Sequence, residues 1–139
     1  MNERITTSGI WAVGRQVLIG KRVSGGASGE LWEFPGGKNR WGETPQQTLA
    51  REFFEELGID IQVGKQIFSH DFTNRETLYH LMVFMVKADV PKNIPLRFHS
   101  EFRWVDINDL SQYPMVPSDE SCLKSVIEAV RSQIDDSKA

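Results

Sequence analysis

The chain has 139 residues, 40% hydrophobic and 25% charged, with no low-complexity tract, which bounds it to one globular domain over residues 1–139 with a sizeable core. A net charge of −3 excludes the broad basic face that stable nucleic-acid binding wants, so an anionic substrate would need local Arg, Lys or a metal ion to be welcome. A single cysteine, Cys122, leaves no internal disulfide, and no apolar run is long enough to cross a membrane. The expectation is therefore a cytoplasmic protein that does not bind membranes, with monomer and homodimer both open.

Ile5–Val13 reads as a strand, followed by a turn at Gly14-Arg15 and a second strand over Gln16–Lys21, together a hairpin. Arg22 ends that strand and could be a solvated strand end or an anion contact. Ser24–Gly29 is a glycine-rich loop without the Gly-Lys-Ser/Thr ending of a phosphate-binding loop, and reads as a rim, a lid or simple slack. Leu31–Phe34 is a short strand, and Pro35-Gly36-Gly37 predicts a sharp turn.

The next element is the best punctuated of the chain. Thr44 is an N-cap, Pro45 suits the first helical position, Gln47 completes a capping box and Gly58 supplies the C-cap, so a helix spans Pro45–Leu57. At about 100° per residue, Arg51, Glu52, Glu55 and Glu56 fall within one arc of roughly 140°, while Leu49, Ala50, Phe53, Phe54 and Leu57 fill the other side.

Beyond the helix, Asp60–Phe72 contains two strand-like runs, Ile61–Val63 and Gln66–Phe72, and Thr77–Val86 is apolar enough to be a central strand. Pro91–Pro95 is a loop, Glu101–Val105 a strand, and Asp106–Leu110 turns into a short helical segment. Ser118–Ile134 repeats Leu123, Val126, Ile127, Val130 and Ile134 at helical steps, with a frayed end from Asp135. Strands and helices in this order predict an α/β fold, a mixed β-sheet between helices in an α/β/α sandwich.

Three like charges on one helical arc repel, and a hard divalent cation is the natural way to make that arrangement favourable. A solvated acidic face is the plain alternative for Glu52, Glu55 and Glu56 taken alone. Oxygen ligands point to Mg²⁺, with Mn²⁺ as a substitute. His70, His80 and His99 are dispersed and read as structural or surface residues, and Cys122 as a small buried helix residue.

The stretch from Gly37 to Ile59 resembles the Nudix box, Gly-x5-Glu-x7-Arg-Glu-(apolar)-x-Glu-Glu-x-Gly-(apolar), without a departure: Gly37, Glu43, Arg51, Glu52, Phe53, Glu55, Glu56, Gly58 and Ile59 occupy its defined positions. The flanking Leu31–Lys38 looks like the MutT-type branch. The resemblance implies the Nudix α/β/α sandwich and a Mg²⁺-dependent nucleoside triphosphate pyrophosphohydrolase that releases a nucleoside monophosphate and pyrophosphate. It implies an oxidised purine nucleotide such as 8-oxo-dGTP as substrate and nucleotide-pool cleansing as role. A pyrimidine triphosphate, a nucleoside diphosphate linked to another group, and a catalytically silent nucleotide sensor are the rival readings.

By the same resemblance, Glu52, Glu55 and Glu56 form the metal-and-base set, Gly37 lends its carbonyl, and Arg51 orients a glutamate with Glu43 supporting it. Glu101, on the last strand, stands where MutT-type enzymes add a ligand or base; a solvated strand start is its alternative. Arg22 stands where the branch contacts phosphate, and Asp119 where it reads the base with an asparagine. Asp119 could equally serve the helix dipole behind an N-cap at Ser118. Tyr79 or His80, neighbours on the central strand, would line the base pocket, one of them facing the cleft.

Overall fold

The protein is described from a computed structural model covering residues 2–138. Seven strands and three helices follow in the order β1 (Asn2–Val13), β2 (Gln16–Arg22), β3 (Trp32–Glu33), β4 (Gly36–Lys38), α1 (Pro45–Leu57), β5 (Gln62–Asn74), β6 (Thr77–Lys87), β7 (His99–Asp106), α2 (Pro117–Glu120) and α3 (Leu123–Lys138), with a 3₁₀ turn at Leu110–Gln112. The strands order as β3-β2-β1-β6-β5, with β4 pairing β1 and β7 pairing β2. Among the described strand pairs β1 and β6 run parallel, from Asn2 opposite Thr77 to Trp11 opposite Val86, and the others antiparallel, so the sheet is mixed as expected.

Successive side chains on a strand point to opposite faces, and here both faces are covered. Ile10, Val17, Ile19, Val83 and Met85 pack with Val126 and Val130 of α3 on one side. Their neighbours Trp11, Leu18, Phe84 and Val86 pack with Leu49, Phe53 and Leu57 of α1 on the other. That alternation makes the α/β/α sandwich, and it explains why these strands read as near-continuous apolar runs.

Three local expectations are corrected. Pro35-Gly36-Gly37 does not turn sharply, because Gly36–Lys38 runs extended along β1 with Gly37 opposite Thr7. Only glycine allows it: a Cβ on Gly36 would fall 2.0 Å from the Thr7 carbonyl oxygen. The two runs after α1 are one 13-residue strand, in which the Gly64-Lys65 interruption becomes register shifts between Val63 and Phe68. The final helix is broken into α2 and α3, with Val116 rather than Ser118 at the N-cap of α2 and Pro117 at its first position. α3 is helical through Lys138, and Ala139, the last residue of the segment expected to fray, lies outside the described residues.

Candidate active site

The carboxylate helix is held at both ends by the groups its sequence supplies. The Thr44 hydroxyl accepts from the Gln47 backbone N–H at 3.1 Å, and the Gln47 side chain accepts from the Thr44 N–H at 2.9 Å. At the other end Gly58, at φ 70°, donates back to the Phe53 and Phe54 carbonyls. Arg97 adds a guanidinium to the Phe54 and Glu55 carbonyls at 3.1 Å each, where the helix dipole favours a cation. With Leu49, Phe53 and Leu57 fully buried, the polar arc is fixed in direction.

Arg51 is the hub of that arc. It grips Glu43 through Nε at 2.6 Å and Nη2 at 3.1 Å, and donates through Nη1 to Glu52 at 2.7 Å and Glu55 at 3.2 Å. Its Nη2 also reaches the Lys38 carbonyl at 3.1 Å, tying α1 to β4. The forked contact holds the Glu43 carboxyl down at about 2. The carboxylates it touches raise the Arg51 guanidinium above its ordinary value, with Glu43 the largest influence.

Gly37 faces Glu52 so closely that a Cβ there would lie 2.4 Å from the Glu52 carboxyl carbon. Its carbonyl accepts from the Thr7 hydroxyl at 3.0 Å. Glu55 is the open member of the set, its side chain 39% exposed against 17% for Glu52. Glu56 points inward, and one of its carboxyl oxygens, Oε2, has no hydrogen-bond partner. Burial first, then the charges of Glu52 and Glu33, push its pKa up to about 9.

Two residues of the site escaped the sequence reading. Glu33, on β3, accepts from Arg22 at 3.0 Å and lies 2.8 Å from the Nε2 of His99. His99, expected to be a structural or surface residue, is 3% exposed at the start of β7, and donor atoms of Glu33, Glu56 and His99 lie within 4.8 Å of one another. An ionisable residue between Trp32 and Phe34 is a faint signal for Glu33. Nothing local announces His99, whose ring meets the site from a strand far along the chain.

A cavity of about 290 Å³ runs from Glu33, Glu56 and Gly37 to Tyr79 and Asp119, with Arg22 on its wall. Tyr79 stacks on Phe72, with ring centroids 5.2 Å apart and planes at 19°, and Lys38 Nζ lies 5.4 Å from the Tyr79 ring. His80 is on the opposite face of β6, held 2.7 Å from Asp71, and does not line the cavity; of the two neighbours, Tyr79 is the one that does. Asp119 is buried in the first turn of α2, where its carboxylate accepts from the Phe34 N–H at 2.8 Å and the Ser8 hydroxyl at 3.2 Å. Burial raises its pKa to about 7 against the pull of those two bonds.

Glu101 is not gathered with the others. On β7 its neighbours Phe102 and Trp104 pack on the α1 side, while Glu101 holds Arg103, whose guanidinium lies over the Trp32 ring. It lines neither the cavity nor the hollow where Glu52 and Glu55 face Val23 and Phe98. A register shift opposite Lys21 and Arg22 breaks the two-residue period between His99 and Glu101, so His99 joins Phe102 on the α1 side and Glu101 does not.

The buried proton on Glu56 has a measurable consequence. In the unfolded chain this carboxyl ionises near 4.5, in the fold only near 9, so the native state holds the extra proton between those values. Stability of the metal-free protein should therefore fall as pH rises through that window, by at most about 1.4 kcal/mol per pH unit from this group. Asp119 acts in the same direction below pH 7. Comparing denaturant midpoints at pH 7.5 and 8.5 for wild type and Glu56→Gln, the slope should shrink in the variant. An equal slope in both would remove Glu56 as its source.

The chain matches the NUDIX domain family over residues 7–125. It is 32% identical over 110 residues to the CTP pyrophosphohydrolase of Escherichia coli, covering 79% of this chain and 81% of that one. Over 61 residues it is 44% identical to the 8-oxo-dGTP diphosphatase of Proteus vulgaris, covering 42% of this chain and 54% of that one. The solution structure of the E. coli ORF135 protein superposes with a TM-score of 0.82 at 29% identity, over 96% of this chain and 94% of that one. The chain belongs to the NUDIX domain family and is a MutT-type Nudix hydrolase, an enzyme acting on nucleotide phosphoric anhydrides.

Proposed function

We propose that this enzyme is a Mg²⁺-dependent nucleoside triphosphate pyrophosphohydrolase that releases a nucleoside monophosphate and pyrophosphate in the cytosol. The supporting observation is the single cavity joining the inward carboxylate Glu56 to the ring of Tyr79 and the carboxylate of Asp119. A hydrolase of nucleotide anhydrides needs a cation position and a base position within one substrate length of each other.

The residues present fit a hard divalent cation. The unpartnered Oε2 of Glu56, beside Glu52, leaves acceptor capacity that a cation can satisfy. Glu52 and Glu56 would hold the ion with the Gly37 carbonyl, and Glu55 would complete the set; Mn²⁺ could substitute. When bound, the ion neutralises phosphate oxygens and lowers the pKa of a coordinated water. Arg51 aims Glu52 and Glu55 through its hydrogen bonds to both. One of these two carboxylates takes the proton of the attacking water. The guanidinium of Arg22, 47% exposed, is available to a phosphate at the cavity wall.

At the other end, Tyr79 offers a stacking face and Asp119 an acceptor. An ionised carboxylate only accepts hydrogen bonds, which favours the paired donors N1–H and N2–H of guanine, so 8-oxo-dGTP leads and nucleotide-pool cleansing follows. Cytosine's amino group is the competing match, and a relative named as a CTP pyrophosphohydrolase favours it. Pyrophosphate release from 8-oxo-dGTP, dGTP, CTP, dCTP and a nucleoside diphosphate-sugar, each with Mg²⁺, tests the reading. The highest kcat/KM is expected for 8-oxo-dGTP. A higher value for CTP or dCTP would replace the purine, and turnover of the diphosphate-sugar alone would overturn the triphosphate reading.

A further inference from the structure

Asp119 is aimed by two short pieces of chain. One is β3, two residues long, which leads into the Phe34 N–H that donates to the Asp119 carboxylate at 2.8 Å. The other runs from Tyr113 to Val116 into the four-residue α2 that carries Asp119 itself. They are bridged by the Trp32 N–H, which donates to the Pro114 carbonyl at 2.9 Å, and by the Val116 N–H, which donates to the Trp32 carbonyl at 2.8 Å. That is thin support for a carboxylate whose direction decides which base is read.

Side chains complete the joint on the far side of the wall. Strand alternation sends Trp32 to the face opposite Glu33. There its ring, 5% exposed, meets the Tyr113 ring edge-on with centroids 5.3 Å apart. The Arg103 guanidinium, from β7, lies over both rings, 5.3 Å from Trp32 and 5.9 Å from Tyr113, and donates to the Tyr113 hydroxyl at 3.4 Å. Glu101 accepts from its Nε and holds the cation in place. A planar guanidinium can lie on aromatic rings and donate to a hydroxyl and a carboxylate at once, a combination that a lysine ammonium does not reproduce. Arg103, Trp32 and Tyr113 do not line the substrate cavity.

We propose that Arg103 is the positioning residue for Asp119: by clamping Trp32 to Tyr113 it fixes β3 against α2, and with them the direction in which the Asp119 carboxylate meets the base. The consequence for base choice rests on the reading above that Asp119 contacts the base. It adds to that reading a residue that acts from behind the cavity wall. The carboxylates of α1 stand on the other side of the sheet, on a helix anchored by Leu49, Phe53 and Leu57, whereas Trp32 and Tyr113 pack on the α3 side. Loss of Arg103 should therefore act on the KM of the preferred nucleotide and leave kcat nearly alone.

Arg103→Ala and Arg103→Lys test this. In Arg103→Ala the KM of the preferred nucleotide should rise about fivefold or more, with kcat within about twofold of wild type and the KM of a poor nucleotide little changed, so that discrimination narrows. Arg103→Lys keeps the charge without the plane or the fork and should fall between the two. In the protein without nucleotide, the Phe34 amide of Arg103→Ala should exchange its proton at least about tenfold faster by NMR, while amides in the middle of β6 keep their wild-type rates. Arg103 is half-exposed, so both variants should fold, and thermal melts place every assay below unfolding. The proposal is overturned if the loss is proportional for every nucleotide, if kcat falls with KM unchanged, or if Phe34 exchanges at the wild-type rate in Arg103→Ala. If Asp119→Asn leaves base preference unchanged, the base reading above fails, and faster Phe34 exchange in Arg103→Ala still assigns Arg103 to the placing of Asp119.

Discussion

Replacing Glu52 with glutamine is expected to lower kcat by at least about 10²-fold while leaving the melting temperature within a few degrees of wild type. The change keeps shape and removes charge at a side chain that Arg51 already positions 2.7 Å from its guanidinium. A loss of 10² corresponds to about 2.7 kcal/mol of transition-state stabilisation. Gly37→Ala should produce a comparable loss by a different route, since the added Cβ would meet the Glu52 carboxyl carbon at 2.4 Å and displace it. Because both changes act on one carboxylate, the double variant should be little worse than either single one. Steady-state kinetics at saturating and limiting Mg²⁺, with thermal melts, provide the check. Near-wild-type turnover of Glu52→Gln at limiting Mg²⁺ would remove the carboxylate helix from the chemistry. Additive losses would show that Gly37 acts elsewhere than on Glu52.

Changing Asp119 to asparagine should alter base preference rather than overall rate. The expected result is a shift of at least about tenfold in the ratio of kcat/KM for 8-oxo-dGTP over other nucleotides, because the amide both donates and accepts. Asp119→Ala should cost about 1–3 kcal/mol for the best nucleotide and much less for a poor one. Alanine also abandons the Phe34 N–H and Ser8 hydroxyl in a buried place, so it should lower the melting temperature too. Asparagine separates the two effects, since its carbonyl can still accept from Phe34. The pH dependence adds a second reading. With its pKa pushed up to about 7, Asp119 gains acceptor character as pH rises through neutrality. Discrimination by the wild type should rise over that interval and that of Asp119→Asn should stay flat. A uniform loss of activity across nucleotides in both variants, with flat discrimination in wild type, would leave Asp119 as a structural tie between α2 and the Phe34 backbone.

The carboxylate helix was legible in the sequence because everything that makes it is local. Thr44, Pro45, Gln47 and Gly58 fix its ends within one turn, and a 3.6-residue period sorts Leu49, Phe53 and Leu57 from Arg51, Glu52 and Glu55. The two-sided sheet was legible for the same reason: Ile10 and Trp11, or Leu18 and Ile19, are apolar in succession, which only a strand buried on both faces sustains. Elsewhere the deciding partner lies far along the chain. Pro35-Gly36-Gly37 becomes strand instead of turn because the β1 backbone lies against it. Asp119 is buried by the Phe34 amide, 85 residues away, and His99 meets Glu33 across 66. The face that Glu101 takes depends on the phase of β7 against β2, which its pairing with Lys21 sets and no local pattern records. Periodicity and capping are properties of neighbours in sequence, whereas the direction of a strand side chain and the cost of burying a charge depend on what packs over it, which here only the tertiary structure decided.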